Sequence, residues 1–387
     1  TTLFTNVTAL LMDEGFTTLR DGYVAVDGTD ISYVGGTRPQ GAFDQTIDCA
    51  GKVMMPGFVN CHTHVPMTLM RGYGGGHDLQ SWLNDYIFPA EAKWDDRSLA
   101  AATGLGLAEM IASGVTCIAD MYMRTGVIAK QVMDAGISAN LCVGGVYFGD
   151  PADFSPDTCG DCANQKALTE EWHNAGDGQI LADASIHGEY TSSAPLWQWM
   201  ADYALEHGLG MHVHVSETKK EHEDCKGRHS GLTPIQTLNQ YGVWDTRAIT
   251  AHCVYTTPED WDIMKQKGVS CVHNPYSNLK LGSGIAPIPA MLKAGADHVA
   301  TGENAVVVNC RRADVIVAPI GVVIADAMLG EITPAMALAA GQSPAKRILL
   351  PIAHCDNMVV GTRELGMGQL VQEAVERLRS VLAGWEK

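Results

Sequence analysis

The chain has 387 residues, of which 46% are hydrophobic and 18% charged, enough apolar material for one large domain of about 250–300 residues plus a smaller one. A formal net charge of −18 repels phosphate backbones and anionic lipid, so nucleic acid and membrane surfaces are poor partners, and a small neutral or zwitterionic molecule is the expected ligand. Eleven cysteines, an odd number without a framework spacing, sit largely in apolar strand-like contexts (Cys117, Cys142, Cys253, Cys271) and read as reduced cytosolic thiols. No apolar run approaches the roughly 20 residues of a membrane span. TTLFTNVTALLMDEG has no basic stretch ahead of an apolar core, so no secretory signal is expected and the cytoplasm is the expected location.

In chain order, LRDGYVAVDGTDISYVGG (19–36) alternates apolar and polar residues, with Asp21-Gly22 and Asp27-Gly28 as turn signals, and residues 1–52 are expected to form a small β-domain. From Val53 the texture changes. Strand candidates at Phe58–Cys61, Val115–Ala119, Ala139–Val143, Ile180–Ile186, Gly210–Val215, Ala248–His252, Val269–His273 and His298–Thr301 alternate with helical stretches. The helical stretches include LAAATGLGLAEMIASG, TGVIAKQVMDAG, PLWQWMADYALEHG, LTPIQTLNQYG and PEDWDIMKQKG, each ending in glycine. Eight strands interleaved with helices predict an α/β fold, a parallel (β/α)8 TIM barrel, whose active site is built at the C-terminal strand ends. The turn-rich loop GDPADFSPDTCGDCANQ (149–165) reads as an insertion near the mouth of such a site.

The chemistry centres on His62-Thr63-His64, at the end of the first of these strands. Residues two apart on a strand share a face, so the pair can approach one metal ion. Histidines recur at four later strand ends: His187, the pair His212 and His214, His252 and His273. One histidine at a strand end is more often structural; this many, added to an H-x-H, point to a metal or acid–base centre. Spacing alone leaves His212 and His214 equal as a third ligand. Glu217, three residues beyond His214, is placed to reach a bound water, or else is a solvated acid ahead of the charged stretch TKKEHEDCKGR. Cys159-Gly160-Asp161-Cys162 lacks a second pair and a nearby histidine, and reads as a loop coincidence instead of a zinc or redox site. Gly74-Gly75-Gly76 has no following Lys-Ser/Thr and is not a phosphate cradle.

PGFVNCHTHVPMTLMRG, DLQSWLNDYIFPAEAKW, HGEYTSS, HVSETKKEHEDC, TAHCV and VHNPYSNLKLGSGIAPIPAML together resemble the amidohydrolase superfamily. The likeness is to its cytosine deaminase-like group, and within that to the deaminases of S-adenosylhomocysteine, 5′-methylthioadenosine and related adenosine compounds. It runs over residues 1–301. It implies His62 and His64 as the first two metal ligands and His214, through H-x-x-E-T, as the third. Glu217 resembles the acid/base that moves a proton to the ring nitrogen, and His252 the histidine that orients the attacking oxygen. His187, Trp82 and Glu91 resemble substrate contacts, the carboxylate holding ribose hydroxyls. The implied cofactor is one divalent ion, zinc with iron as the alternative, which makes hydroxide available near neutral pH. Hydroxide attacks the amine-bearing carbon, Glu217 protonates the adjacent nitrogen, and ammonia leaves.

Two positions depart from the family. Val143 stands where an arginine usually meets an amino-acid carboxylate, which favours smaller or less charged adenosine derivatives. At the eighth strand the usual aspartate, the fourth ligand, is absent from Val299-Ala300-Thr301-Gly302-Glu303-Asn304. In one alignment Glu303 substitutes as the fourth ligand with a longer arm, or Asn304 takes the place uncharged. In the other, residues 304–329 resemble the family's later β-domain strands and the aspartate segment is missing. The chain is also some tens of residues short for the family, although ITPAMALAAGQSPAKRILL (332–350) resembles its final barrel helix.

The resulting expectation is a metal-dependent barrel over residues 53–350, with a small discontinuous β-sandwich domain made by 1–52 and 351–387, the latter ending in a helix. It would deaminate an adenosine derivative. The rivals are hydrolysis of another heterocycle (guanine-, pterin- or triazine-like) and a metal-deficient homologue that binds a nucleoside without turning it over. The oligomeric state, a homo-oligomer included, is left open.

Overall fold

Period-two alternation produces the first sheet of the computed structural model, which describes residues 1–13, 17–288, 290–291, 315–324, 334–350, 373–377 and 379–381. Strands β1 (Thr2–Leu10), β2 (Thr18–Asp27), β3 (Asp30–Gly35) and β4 (Gln45–Asp48) lie in the order β3-β2-β1-β4, and the short β5 (Val53–Met54) also pairs with β1. Alternate residues of β1 point inward, and Val7, Ala9, Val24 and Cys49 form the core of this sheet. Asp27-Gly28 is the expected hairpin turn, with Gly28 at φ +59°. Asp21-Gly22 is not a turn. Asp21 takes a left-handed conformation (φ 50°) inside β2, where the register against β1 slips between Val7/Gly22 and Ala9/Leu19, so the pair marks a bulge.

After β5 every strand pairing is parallel as far as residue 272. Strands β6 (Phe58–Thr63), β7 (Val115–Met121), β8 (Ser138–Cys142) and β9 (Ile180–Ala182) form one sheet. Strands β10 (Ala184–Gly188), β11 (Met211–Val215), β12 (Ala248–His252) and β13 (Ser270–Val272) form the next. β11 is buried at all of its positions, as expected of a parallel strand covered on both faces. The helices Asp96–Ala112, Thr125–Ala135, Ala194–His207, Pro234–Asn239 and Pro258–Lys267 occupy the stretches anticipated for them. Gly136 and Gly268 close two of them in the left-handed conformation. Thr218, Thr233 and Thr257 start helices with capping boxes.

The strand expected at Ile180–Ile186 is interrupted at Asp183. The Asp183 N–H donates to the Leu141 carbonyl of the β6–β9 sheet at 2.9 Å, and the next residue, Ala184, donates to the Gly210 carbonyl beside the β10–β13 sheet at 2.9 Å. The chain thus passes from one ladder to the other within a single residue. The Asp183 carboxylate is buried and accepts from the Gly210 N–H (2.9 Å), the Arg247 guanidinium (2.6 Å) and the Asn140 side-chain amide. It ties β8, β10, β11 and β12 together at the end away from the histidines. The strand expected at His298–Thr301 lies outside the described residues.

The chain divides into two compact units, Thr1–Pro287 and Ile288–Lys387. In the second, β14 (Val315–Pro319) pairs in parallel with β15 (Lys346–Leu350), and the helix Pro334–Gln342 lies between them in sequence. This helix takes the first part of the stretch read as helical, and its last residues, KRILL, are strand. Among the described residues no helix is long and apolar enough to cross a membrane.

Asp183→Ala strands the Gly210 N–H and the Asn140 amide in a buried place and is expected to destabilise the protein by about 2–4 kcal/mol. Urea unfolding reads this directly; an unmoved midpoint would remove Asp183 from its stitching role.

Candidate active site

Six histidines meet where β6, β10, β11 and β12 end. Strand alternation aims His62 and His64 to one side, with ring centroids 4.9 Å apart. The chain bends away immediately afterwards, because the Val65 N–H donates to the buried Asp120 carboxylate at 2.6 Å and a 3-10 turn, Val65–Met70, begins. His214 lies 4.8 Å from His62 and 5.2 Å from His64, centroid to centroid. His252 lies 5.5 Å from His62, and His187 lies 4.6 Å from His214.

The choice between His212 and His214, open on spacing, is made by where the rings sit. His62, His64 and His214 each offer a nitrogen within 4.8 Å of the others. His212 sits behind His62, its Nε2 at 2.9 Å from His62 Nδ1 and its own Nδ1 at 3.5 Å from Cys142 Sγ.

Hydrogen bonding fixes the tautomers of two of these rings. His64 Nδ1 is 2.6 Å from the Met121 carbonyl, and His214 Nδ1 is 2.6 Å from the His187 carbonyl. A carbonyl only accepts, so each Nδ1 carries the hydrogen and each Nε2 presents a lone pair. Burial holds the His62, His64 and His214 rings below their ordinary pKa, so they are neutral near pH 7. The two Nε2 lone pairs nevertheless face each other at 3.2 Å. Two acceptors at that distance repel unless a cation lies between them, and a neutral-imidazole set of this kind suits a zinc-type ion. A second group of ligand-type side chains, Glu189, Cys225 and His229, is different. There the buried Glu189 carboxylate is already clasped by Arg228 and by His229.

Glu217 is buried beside this cluster, its Oε1 3.6 Å from His252 Nδ1. Burial first, and then the neighbouring Glu221, push its carboxyl up to about 8. Glu221 itself accepts the N–H groups of Ser216 and Glu217, both at 2.7 Å, while its own N–H donates to the Thr218 hydroxyl. The capping box of the following helix therefore also sets the backbone that carries Glu217, which answers the reading of Glu217 as a solvated acid. His252 Nδ1 lies 2.7 Å from the side-chain oxygen of Asn278, which turns Nε2 toward the other histidines. His252 and Cys253 both have left-handed backbones (φ 76° and 50°), strain that the Cys253 N–H to Val215 bond helps to hold.

His62, His64, His187, His214 and His252 line a cavity of about 600 Å³, a size suited to a nucleoside-sized ligand. Trp82, Glu91, His187, Glu217 and His252 all line it. The Trp82 indole donates to the Tyr73 carbonyl at 3.1 Å and has the Lys280 ammonium over its ring. Glu91 is buried and accepts from the Tyr122 hydroxyl; its carboxyl is raised by burial. Val143, Val146 and Phe148 give one part of the lining an apolar surface, and Asp161, in the first turn of the helix Gly160–Trp172, also reaches the cavity. His273, by contrast, does not line the cavity; its neighbour Asn274 does. Cys159 and Cys162, at the start of the helix Gly160–Trp172, are buried and also stand off the lining. Glu303 and Asn304 lie outside the described residues.

Several functional-looking residues carried no sequence signal of their own. Asn278 and Tyr122 hold His252 and Glu91, and Asp120 and Cys142 stand behind the histidines. Only Asn278 and Cys142 lay within stretches already marked, VHNPYSNLKLG and the strand candidate Ala139–Val143.

The buried histidines set the acid response of the protein once it is stripped of metal by chelation. His62, His64, His187, His212, His214 and His252 all have lowered pKa values in the fold. Their stabilising contribution is present above the unfolded value near 6.5 and is lost as pH falls below it, by up to about 1.4 kcal/mol per pH unit for each ring. Glu91, Asp120, Glu217 and Glu221 are raised and act in the opposite sense, but they are fewer. The unfolding midpoint of the chelated protein is therefore expected to drop steeply between pH 6.5 and pH 5; a flat or rising profile contradicts the buried, neutral cluster.

The profile of the amidohydrolase family matches residues 53–345. A 5-methylthioadenosine/S-adenosylhomocysteine deaminase from Thermoanaerobacter pseudethanolicus is 36% identical over 302 residues, covering 78% of this chain and 69% of the relative. A 5′-deoxyadenosine deaminase from Methanosphaera stadtmanae is 38% identical over 266 residues, covering 67% of this chain and 61% of the relative. Among solved structures, a zinc-bound adenosine deaminase from Xanthomonas campestris superposes with a TM-score of 0.69 at 29% identity, covering 76% of this chain and 66% of that one. The chain thus spans about two thirds of the length of the curated relatives it matches.

Proposed function

The chain belongs to the amidohydrolase family, and from that premise we propose that it is a metal-dependent hydrolase of C–N bonds that deaminates the purine ring of an adenosine derivative. The observation that carries the proposal is the facing pair of lone pairs on His64 and His214, beside His62, in the lining of a nucleoside-sized cavity. The names of the related proteins supply the reaction, and the apolar wall at Val143, Val146 and Phe148 favours a substrate without an amino-acid tail.

On this reading the seven successive parallel strand positions from β6 to β13, with β9 and β10 as one interrupted strand, belong to a (β/α)8 barrel. Residues 1–52 supply a small β-domain; most of residues 351–387, expected to complete it, lie outside the described residues. His62, His64 and His214 would hold one divalent ion, zinc in preference to iron; Glu303, the expected fourth ligand, lies outside the described residues. The ion supplies Lewis-acid chemistry that makes a hydroxide nucleophile available at neutral pH.

The protein's own groups do the rest. Glu217 holds a proton at neutral pH because burial and Glu221 raise its carboxyl, and it passes that proton to the ring nitrogen beside the amine-bearing carbon. Asn278 fixes His252 so that Nε2 faces the attacking oxygen. Glu91, oriented by Tyr122, accepts hydrogen bonds from the ribose hydroxyls, and Trp82 closes the wall of the nucleoside pocket. His187 holds His214 through its carbonyl and faces the cavity with its ring. The ligand is a small molecule; the net charge of −18 argues against a nucleic-acid polymer or an anionic membrane surface, and the cytoplasm is the compartment this chemistry and the thiol content suit.

Ammonia release is expected from at least one of adenosine, 5′-methylthioadenosine, 5′-deoxyadenosine and S-adenosylhomocysteine, and not from guanine or a triazine. Failure on every adenosine compound would sink the substrate assignment. Glu217→Gln is expected to lower kcat by about 10²–10⁴-fold with metal content unchanged. Glu91→Ala should instead act mainly on KM, because a ribose contact is made in the ground state as well as in the transition state; equal losses in kcat and kcat/KM would contradict that role.

A further inference from the structure

We propose that His212 is a positioning residue for the metal centre, setting the tautomer of His62 through a histidine-to-histidine hydrogen bond backed by Cys142. The inference rests on the reading of His62, His64 and His214 as metal ligands.

The three rings are held differently. His64 and His214 each lean on a backbone carbonyl, those of Met121 and His187. Such an acceptor allows only one tautomer. Among the described residues His62 has no carbonyl partner at Nδ1. Its Nδ1 meets Nε2 of His212 at 2.9 Å, and a ring nitrogen can be donor or acceptor. His62 presents Nε2 as a ligand only if its Nδ1 carries the hydrogen, and this requires His212 Nε2 to be the acceptor. His212 must then carry its own hydrogen on Nδ1, and that nitrogen faces Cys142 Sγ at 3.5 Å, a sulfur able to accept. The relay therefore runs from His62 Nδ1–H to His212 Nε2, and from His212 Nδ1–H to Cys142 Sγ. If His212 held the other tautomer it would donate to His62, place the His62 hydrogen on Nε2 and remove a ligand.

The setting makes the relay rigid. Both His212 and Cys142 are fully enclosed, with 1% and 0% of their surface exposed. His212 lies on β11 two residues before the ligand His214, and Cys142 is the last residue of β8, so the relay joins a ligand-bearing strand to a strand of the other parallel sheet. Partners of this kind, one bond beyond the ligands, fix ring orientation and raise ligand basicity. This gives a role to His212, which spacing placed level with His214 and which the ligand set does not use.

The test compares His212→Phe, which keeps a ring but cannot accept a hydrogen bond, with His212→Gln, whose amide oxygen can reach the position of Nε2. The zinc dissociation constants of the full chain are measured by competition with a chromophoric chelator, alongside unfolding midpoints of the metal-free forms. The phenylalanine variant is expected to bind zinc about 10–100-fold more weakly. The glutamine variant should stay within a few-fold of the parent. Equal binding in parent and both variants, or equal loss in both variants, overturns the proposal. A long-range ¹H–¹⁵N spectrum of the metal-free parent provides a measurement independent of any variant's folding: Nδ1–H on both His62 and His212 is expected, and Nε2–H on His62 overturns it. A folded parent that binds no zinc at all defeats the metal-site reading itself, and the proposal with it.

Discussion

The site depends on one electrostatic constraint: neutral imidazoles packed with their lone pairs converging. Burial keeps the rings uncharged, and carbonyls behind His64 and His214 commit each Nδ1 to donation. The Nε2 atoms that remain have nothing to donate and no water-filled distance between them, so the arrangement is stable only around a positive charge. In this sense the fold prepares the cation site before any ion arrives. The cost is borne by the parallel strands, whose C-terminal ends are held in register by the sheet ladders and, at the opposite end, by the buried Asp183 carboxylate.

The acid–base part of the site follows from the same enclosure. Glu217 would be an ordinary ionised carboxylate in water. Behind the Ser216 and Glu217 backbone, with Glu221 accepting both N–H groups, it loses solvation and gains a negative neighbour. Its affinity for a proton rises into the range useful at neutral pH. The capping box that starts the helix Lys219–Arg228 therefore also fixes the backbone that carries Glu217. His252 shows the complementary device: a left-handed backbone at a strand end, and an asparagine that fixes which nitrogen faces the cavity.

Much of this was legible in the sequence, for physical reasons that differ from residue to residue. That His62 and His64 share a face follows from strand alternation, their ligand role from the family resemblance, and the parallel strands from apolar runs spaced by helical periods. Glu217, Trp82, Glu91 and His187 were identified through a family resemblance, and all of them line the cavity. What could not be read was pairing across the sheet. His212 and His214 have the same spacing logic, and only the position of the neighbouring strand separates the ring that faces the cluster from the one behind it. Asp21-Gly22 reads as a turn because the same residues that permit a turn also permit a bulge. The interruption at Asp183 is invisible in a continuous apolar run, since it is defined by which strand each neighbour bonds to. Asn278 and Tyr122 act through contacts distant in sequence, and nothing in their local composition marks them.

The central claim is that the histidine cluster is a cation site on which turnover depends. The most direct measurement is the metal content of the protein purified without chelator, followed by ammonia release before chelation, after it, and after zinc is restored. The account predicts one divalent ion per chain, activity that disappears with the ion, and recovery on adding zinc. Full turnover by metal-free protein, or a folded chain that takes up no ion, would contradict it.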